Sequence, residues 1–229
     1  MKLLALETST MIGSIALSTA TELLAEFQLG IKTSYSDMLL PAIDHVLHST
    51  STSLQDVDAF AIAQGPGSFT ALRIGMSVVK GLSLATNKPL IAVSSLDGLA
   101  HNMFASNYLI CPLLDARRHE VYTAFYRKAG DSLQRLSPDR ALRPEKLLEE
   151  IHEDVVFLGD GSERYRDLIG TALQEKARFA PLPLNYPRAA TIAQLAFQKG
   201  MHVPFSETES LTPLYGRPPE AEIKWGESR

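Results

Sequence analysis

A glycine-rich segment, Gly65-Pro66-Gly67-Ser68, lies between a predicted buried strand and a predicted long helix and could bind an anion. A turn of this kind can direct free backbone N–H groups at a ligand, and the start of a helix favours negative charge. The Lys-Ser or Lys-Thr pair of a P-loop does not follow. The residues alone favour an ordinary strand-to-helix turn, and they leave open an anion site formed by Gly65, Gly67, Ser68 and Thr70.

Histidines are the other side chains that could support chemistry. His45 and His48 share one face of a predicted helix, beside Asp44, and imidazole nitrogens can bind zinc. No third ligand is evident, so we interpret both as exposed helix histidines and predict no metal site. Neither a Ser/His/Asp order nor a glycosidase-like pair of carboxylates stands out, and we predict no catalytic residue.

The composition is that of an ordinary globular protein. The 229 residues are 45% hydrophobic and 21% charged, which excludes a disordered tail and a coiled coil. The net charge of −4 has the wrong sign for an autonomous nucleic-acid binder, because such proteins gain affinity by neutralising phosphates. Cys111 is the only cysteine, which excludes an intrachain disulfide and fits a reducing compartment. A membrane-spanning helix needs about 20 consecutive apolar residues, and no apolar run in the sequence approaches that length. We therefore expect a cytoplasmic protein that does not bind membranes.

Hydrophobic periodicity predicts a first lobe in which a mixed sheet is packed by helices. The predicted strands are 2–6, 13–17, 23–29, 59–63 and 89–93, and the predicted helices are 35–47 and 69–86. A second lobe is predicted to begin with strands 109–114 and 121–126, followed by an alternation of helices and strands that ends near Gly200. We therefore divide the chain into a first lobe (1–105), a smaller second lobe (106–203) and an extended C-terminal segment (204–229) that packs back on the body.

Four segments in one consistent order resemble the TsaB family, also called YeaZ. The stretch from Gly65 to Gly75 is similar to the family signature GPGSFTGLRIG, with Ala71 where the family usually has Gly. The other three segments are Leu6-Glu7-Thr8-Ser9-Thr10, Asp115-Ala116-Arg117 with Glu120-Val121-Tyr122, and Pro213-Leu214-Tyr215-Gly216-Arg217 with Ala221-Glu222. The matches span almost the whole chain.

The resemblance implies an α/β fold with two actin-like, Hsp70-like (ASKHA) lobes, mixed sheets with flanking helices, and a reduced second lobe. It also implies a non-catalytic scaffold and activating subunit in the transfer of threonylcarbamoyl to the adenosine beside the tRNA anticodon. The implied partners are a TsaD-like catalytic subunit and a TsaE-like ATPase, with a homodimer in isolation and tRNA contacted only through the complex. No cofactor of its own is implied, and ATP is placed at the boundary with TsaD and TsaE.

The first turn bears on ATP chemistry. Glu7 stands where actin-like ATPases usually place an aspartate, but Thr8 and Ser9 replace the glycines that let such a loop approach phosphate. Autonomous ATP hydrolysis is therefore not expected. We still group Glu7, Thr8 and Ser9 with the glycine-rich loop as the candidate nucleotide-proximal region.

The two first-lobe helices are the candidate docking face. Apolar residues surround the helix 69–86, which is typical of a helix covered on every side. One sheet can cover only part of it, so either a second helix of the same lobe or another protein covers the rest. The expected docking residues are Tyr35, Leu39, Ile43, Val46, Arg73, Ile74, Ser77, Val78 and Lys80.

Two other classes of function stay open at this point. The chain could be an enzyme, either a glycoprotease-type metallopeptidase or a small actin-like kinase, or an interaction module unrelated to tRNA. The metal-binding TsaD relatives carry HxxxH where this chain has HxxH at His45 and His48, which disfavours the peptidase. The altered phosphate loop disfavours the kinase, and an unmodified tRNA pool in a depleted strain would exclude the unrelated module.

Overall fold

The structure is a computed structural model that describes residues 1–30, 35–200, 208 and 210–216. Five strands form the first sheet: β1 (Leu3–Glu7), β2 (Ile12–Ser18), β3 (Leu23–Gly30), β4 (Ala59–Gly65) and β5 (Leu90–Ser94). The second sheet contains β6 (Leu109–Arg117), β7 (Glu120–Thr123), β8 (Tyr126–Ala129), β9 (Ser132–Arg135), β10 (Arg140–Leu142), β11 (Val155–Leu158) and β12 (Ala177–Phe179).

Helices pack on both faces of these sheets. They are α1 (Tyr35–Ser49), α2 (Phe69–Thr86), α3 (Ser95–His101), α4 (Pro144–Glu149), α5 (Asp160–Arg164), α6 (Arg166–Leu173) and α7 (Ala189–Lys199). The seven elements predicted for the first lobe are confirmed to within two residues at each end. Of the helices that the structure describes, none has the length and apolar character to cross a bilayer.

The first sheet has the order β3-β2-β1-β4-β5, with β1 antiparallel to β2 and parallel to β4. Successive side chains of a strand point to opposite faces, so β1 serves two cores. Leu4 and Leu6 face the cluster that includes α1 and α2. Leu3 and Ala5 face α7, in a cluster where small alanines of β1, β2 and β4 meet alanines of the helix. Small side chains on both sides allow α7 to pack closely on the sheet.

The second sheet follows the order β10-β7-β6-β11-β12, and β8 also pairs with β6. One predicted strand, 121–126, is in fact two, because the chain leaves the ladder at Ala124 and Phe125. β7 then pairs with β10, and β8 pairs with β9. Helices α4 and α6 cover one face of this sheet, and α3 covers the other.

Two helices correct the predicted division into lobes. α7 falls within the predicted second lobe, 106–203, yet its Ile192 and Ala193 are buried against β1 and β4 of the first sheet. α3 was not predicted, and its Leu96 and Leu99 belong to the core of the second lobe although they precede residue 106. A position along the chain does not determine which sheet a helix covers. The expected C-terminal segment, 204–229, lies within the described residues only at 208 and 210–216.

Candidate functional site

The turn after β1 and the loop before α2 lie against each other, and we call residues 7–10 and 65–68 the loop cluster. The backbone N–H of Ser68 donates to the carbonyl oxygen of Ser9 over 2.7 Å. A Cβ atom added to Gly67 would lie 2.4 Å from the same oxygen, so the approach requires glycine. The N–H of Ser68, expected to be available to an anion, is engaged by the chain itself.

Glu7 ends β1 within this cluster and is fully buried. The backbone N–H of Ser9 donates to its Oε1 atom over 2.5 Å, and its Oε2 atom has no partner among the described residues. Burial raises the pKa of the Glu7 carboxyl from 4.5 to about 7, and hydrogen bonds from Ser9 oppose that rise in part. An acidic group at this point repels a phosphate when it is ionised, so the electrostatics do not favour an anion.

α2 covers the remaining side of the turn at Gly75. A Cβ atom added there would lie 2.3 Å from Oγ1 of Thr8, a buried hydroxyl without a partner in the described part of the chain. The structure thus brings the residues of the two candidate nucleotide-proximal segments together, but as a packed junction. Thr70 lies outside the junction, on the exposed side of α2.

The expected docking residues of α1 are core residues. Tyr35, Leu39, Ile43 and Val46 are 5%, 4%, 3% and 1% exposed. The phenol of Tyr35 donates to the carbonyl oxygen of Thr10 over 2.6 Å, which connects α1 to the loop cluster. This burial corrects the expectation for all four, because the three- and four-residue spacing that predicted the helix is also the spacing of its sheet-facing side.

The expected docking residues of α2 lie at its surface. Arg73 and Ser77 are exposed, and Ile74, Val78 and Lys80 are partly exposed. Leu84, which sequence reasoning did not select, is 52% exposed. We call the surface formed by Arg73, Ile74, Ser77, Val78, Gly81 and Leu84 the α2 face. It combines apolar side chains with one guanidinium, a composition typical of protein contacts.

Two glycines on α2 have different environments. Gly75 meets Thr8 as described above, whereas a Cβ atom added to Gly81 would meet nothing within 4 Å. The close approach that Gly75 permits is therefore a contact of α2 with Thr8 of the same chain. Only Gly81 leaves room for the backbone of another molecule on the α2 face.

Residues 211–216 run between the lobes, and we call them the strap. The backbone N–H of Leu214 donates to the carbonyl oxygen of Gln64 over 2.8 Å, which fixes the strap to the first lobe. The phenol of Tyr122 donates to the carbonyl oxygen of Tyr215 over 2.8 Å, which fixes it to the second lobe. A Cβ atom added to Gly65 would lie 2.1 Å from the carbonyl oxygen of Leu214. The strap therefore packs directly on the glycine-rich loop.

Tyr215 also reaches Arg73 on the α2 face. The Nε–H of Arg73 donates to the hydroxyl of Tyr215 over 2.9 Å. The guanidinium carbon lies 4.2 Å from the ring centroid of Phe69 and 5.7 Å from that of Tyr215. Sequence reasoning did not assign Phe69, Tyr122 or Tyr215 to a site. The available signal was that all three lie in segments that carry the family resemblance.

The turn at Gly159 in the second lobe is filled by neighbouring atoms of the same chain. Gly159 has a φ of +103°, and a Cβ atom added to it would lie 2.1 Å from the carbonyl oxygen of Leu113. The next residue, Asp160, accepts a hydrogen bond from the backbone N–H of Asp115, and burial raises the pKa of its carboxyl. These contacts show an ordinary strand-to-helix turn filled by its own chain.

The helix histidines lie apart from the loop cluster. His45 is exposed and its ring packs against Phe27 at 5.3 Å between centroids, and His48 is also exposed. In the described ranges no group of three His, Cys, Asp or Glu side chains is placed to hold a metal ion.

Comparison with known proteins identifies the relatives of this chain. The family model of TsaD, described as tRNA N6-adenosine threonylcarbamoyltransferase, matches residues 22–225. The tRNA threonylcarbamoyladenosine biosynthesis protein TsaB of Bacillus subtilis is 33% identical over 232 residues, which cover 100% of both chains.

Solved structures agree with these relatives. A Pseudomonas aeruginosa protein described as similar to peptidase YeaZ has a TM-score of 0.79 and 29% identity, over 94% of this chain and 99% of that chain. Component A of the (R)-2-hydroxyglutaryl-CoA dehydratase of Acidaminococcus fermentans has a TM-score of 0.53 and 11% identity, over 87% and 98%, which is a likeness of fold alone. The expected two-lobed actin-like (ASKHA) fold is confirmed.

Proposed function

The chain belongs to the TsaB family of tRNA threonylcarbamoyladenosine biosynthesis proteins, and we propose that it acts there as a non-catalytic scaffold and activating subunit. In this proposal it pairs with a TsaD-type catalytic subunit and works with a TsaE-type ATPase in the cytoplasm. The observation that carries the proposal is the α2 face, a partly apolar surface beside a loop cluster that is packed shut.

The packed loop cluster supports a role without chemistry of its own. A nucleotide phosphate at this place would need backbone N–H groups and space, whereas the N–H of Ser68 is bonded to Ser9 and Gly67 touches the same carbonyl. The buried acid Glu7 adds repulsion when it ionises. We therefore place ATP used by the complex outside this cluster, at the boundary with the TsaD-type and TsaE-type subunits.

The α2 face supports a protein partner. Leu84 is 52% exposed, and Ile74 and Val78 are only partly covered by the first-lobe core. Burying such side chains at an interface removes apolar area from water. TsaB relatives and TsaD-type transferases are named for the same tRNA modification, which favours a TsaD-type subunit as the partner. In its absence the same face pairs with a second copy of this chain.

The charge of the chain supports an indirect contact with tRNA. At a net charge of −4, it gains little from phosphate neutralisation. An activating subunit raises the activity of a partner by binding its active conformation more tightly than its inactive one. Activation should therefore saturate with the amount of this chain.

Titration of the purified chain against a TsaD-type subunit, with calorimetry and light scattering, tests the proposal. We expect a saturable complex of defined stoichiometry that replaces the homodimer. An absence of binding, or threonylcarbamoyl transfer by the TsaD-type and TsaE-type subunits that is unaffected by this chain, would refute it.

A further inference from the structure

The strap connects three points that belong to different parts of the fold. It is hydrogen-bonded to Gln64 at the end of β4, to Tyr122 on β7, and to Arg73 on α2. The first and third points belong to the first lobe, and the second belongs to the second lobe. A change in the relative position of the lobes would therefore strain the contacts of Tyr215.

The contacts of Arg73 fix its guanidinium. One face of the group lies over the Phe69 ring, the Tyr215 ring lies nearby, and the two rings are 4.4 Å apart at their centroids. Its Nε–H is used by the Tyr215 hydroxyl. Among the described residues none pairs with the two terminal nitrogens, and the side chain is exposed. A planar group held in this way loses little freedom when its outer edge binds a carboxylate through two parallel hydrogen bonds.

We propose that the strap orients Arg73 to bind a carboxylate of the TsaD-type partner, so that docking depends on the arrangement of the two lobes in which the strap contacts both. This inference rests on the proposed function and adds its recognition chemistry. The strap supplies Tyr215, Tyr215 orients Arg73, and Tyr122 keeps the strap in place. The affinity of the α2 face for the partner therefore depends on whether the strap is bound to both lobes.

A protein carboxylate fits this place better than an RNA phosphate. Arg73 shares the α2 face with Ile74, Val78 and Leu84, which have no counterpart on a phosphate backbone but suit an apolar protein surface. The overall charge of −4 also disfavours an RNA contact at a single arginine.

Affinity for the TsaD-type subunit, measured by calorimetry, tests the inference on three variants. Arg73→Lys keeps the charge but loses the planar group, and we expect the dissociation constant to rise about tenfold or more. Tyr215→Phe keeps the ring but loses the hydroxyl that binds Nε, and we expect a rise of about three- to tenfold. Tyr122→Phe touches no part of the α2 face, and we expect a similar rise because the strap loosens.

A second arginine and tyrosine provide the matched control. Arg178 lies 4.6 Å from the ring of Tyr108 on the second lobe, away from the strap. Arg178→Lys and Tyr108→Phe should leave the affinity unchanged. Hydrogen exchange on the uncomplexed chain gives a second readout, in which Tyr122→Phe should speed exchange of the Leu214 N–H while the core strands stay protected.

The outcomes separate the two proposals. If the unmodified chain does not bind the TsaD-type subunit, the proposed function and this inference both fail. If it binds and Arg73→Lys binds equally well, the contact of an oriented guanidinium with a carboxylate through two hydrogen bonds is excluded and only this inference fails. If Tyr122→Phe changes neither affinity nor exchange at Leu214, the strap is not the link. Salt-sensitive binding of tRNA to this chain without the TsaD-type subunit, if it depends on Arg73, would also overturn the inference. Arg73 would then bind a phosphate rather than a carboxylate.

Discussion

The Nε–H of Arg73 donates to the hydroxyl of Tyr215 over 2.9 Å, although the two residues are 142 positions apart in the chain. Three of the four segments that resemble the TsaB family meet around this contact. Arg73 belongs to the glycine-rich segment, Tyr215 to the C-terminal one, and Tyr122, which binds the carbonyl of Tyr215, to the second-lobe one. The fourth segment, with Glu7 and Ser9, lies under the glycine-rich loop. The shared segments thus form one junction between the lobes.

Replacement of the buried acid gives the first prediction. Folding raises the pKa of Glu7 to about 7, so between pH 4.5 and pH 7 the folded chain retains a proton that the unfolded chain releases. The stability contributed by this group is therefore lost as the pH rises through that window. Relative to the unmodified chain, Glu7→Gln should gain about 3 kcal/mol of unfolding free energy between pH 4.5 and pH 8.

Urea denaturation at a series of pH values measures this difference. Glu22→Gln, at an exposed turn, controls for the loss of one acidic group. A difference between Glu7→Gln and the unmodified chain that does not change with pH would show that folding does not raise the pKa of Glu7.

A pair of alanine substitutions in α2 gives the second prediction. Gly75→Ala would bring its Cβ atom to 2.3 Å from Oγ1 of Thr8 and should destabilise the chain by about 1–3 kcal/mol. Gly81→Ala meets nothing within 4 Å, and should stabilise the helix by about 0.5–1 kcal/mol. Thermal unfolding followed by circular dichroism gives both values. Equal effects of the two substitutions would contradict the packing of Thr8 against α2.

A charge on the α2 face gives the third prediction. Leu84→Glu should weaken both the homodimer and the complex with a TsaD-type subunit by about tenfold or more, because it places an unpaired carboxylate in an apolar contact. Folding should be unaffected, since Leu84 is 52% exposed. Ile74 is a less suitable position, because it also packs against the first-lobe core.

The matched control for this substitution is Leu182→Glu, at a second-lobe leucine that is 70% exposed. Light scattering and calorimetry report association, and circular dichroism reports folding. If the two glutamate variants associate equally well, another surface carries the interaction.

Nucleotide binding gives the fourth prediction. Because the N–H of Ser68 and the space at Gly67 are already used by Ser9, ATP with Mg²⁺ should leave the melting temperature of the isolated chain unchanged. The expected rate of ATP hydrolysis is that of the buffer alone. A saturable rise in melting temperature, or turnover that copurifies with the chain and is abolished by Glu7→Ala, would show that the loop cluster opens to nucleotide.

The elements of the first lobe could be predicted from the sequence because their signals are local. The strands are short apolar runs between turn residues, and α1 and α2 repeat apolar residues at helical spacing. The same spacing led to the wrong prediction that the apolar side of α1 binds a partner. Periodicity identifies the apolar side of a helix but does not show whether a sheet of the same chain or another protein covers it. Leu39 and Ile43 turned out to face the sheet, whereas Leu40 is the exposed leucine of that helix.

The remaining features depend on contacts between distant residues. No local pattern shows that α7 packs on the first sheet, because its partners Leu3 and Ala5 lie at the other end of the chain. The position of the strap also depends on distant residues, because hydrogen bonds with Gln64 and Tyr122 fix it. The family resemblance pointed to the segments of Tyr122 and Tyr215, without indicating that they touch, and it pointed to no part of α7.

In the proposed function, this chain activates threonylcarbamoyl transfer by a TsaD-type subunit without performing it. The most direct measurement is nucleoside analysis of unmodified tRNA after incubation with the TsaD-type and TsaE-type subunits, ATP and threonylcarbamoyl-adenylate, at increasing amounts of this chain. We predict threonylcarbamoyladenosine that rises to saturation with the chain, none with the chain alone, and a loss for Leu84→Glu in proportion to its loss of binding. Full modification in the absence of the chain, or full activity of a variant shown not to bind the TsaD-type subunit, would contradict the claim.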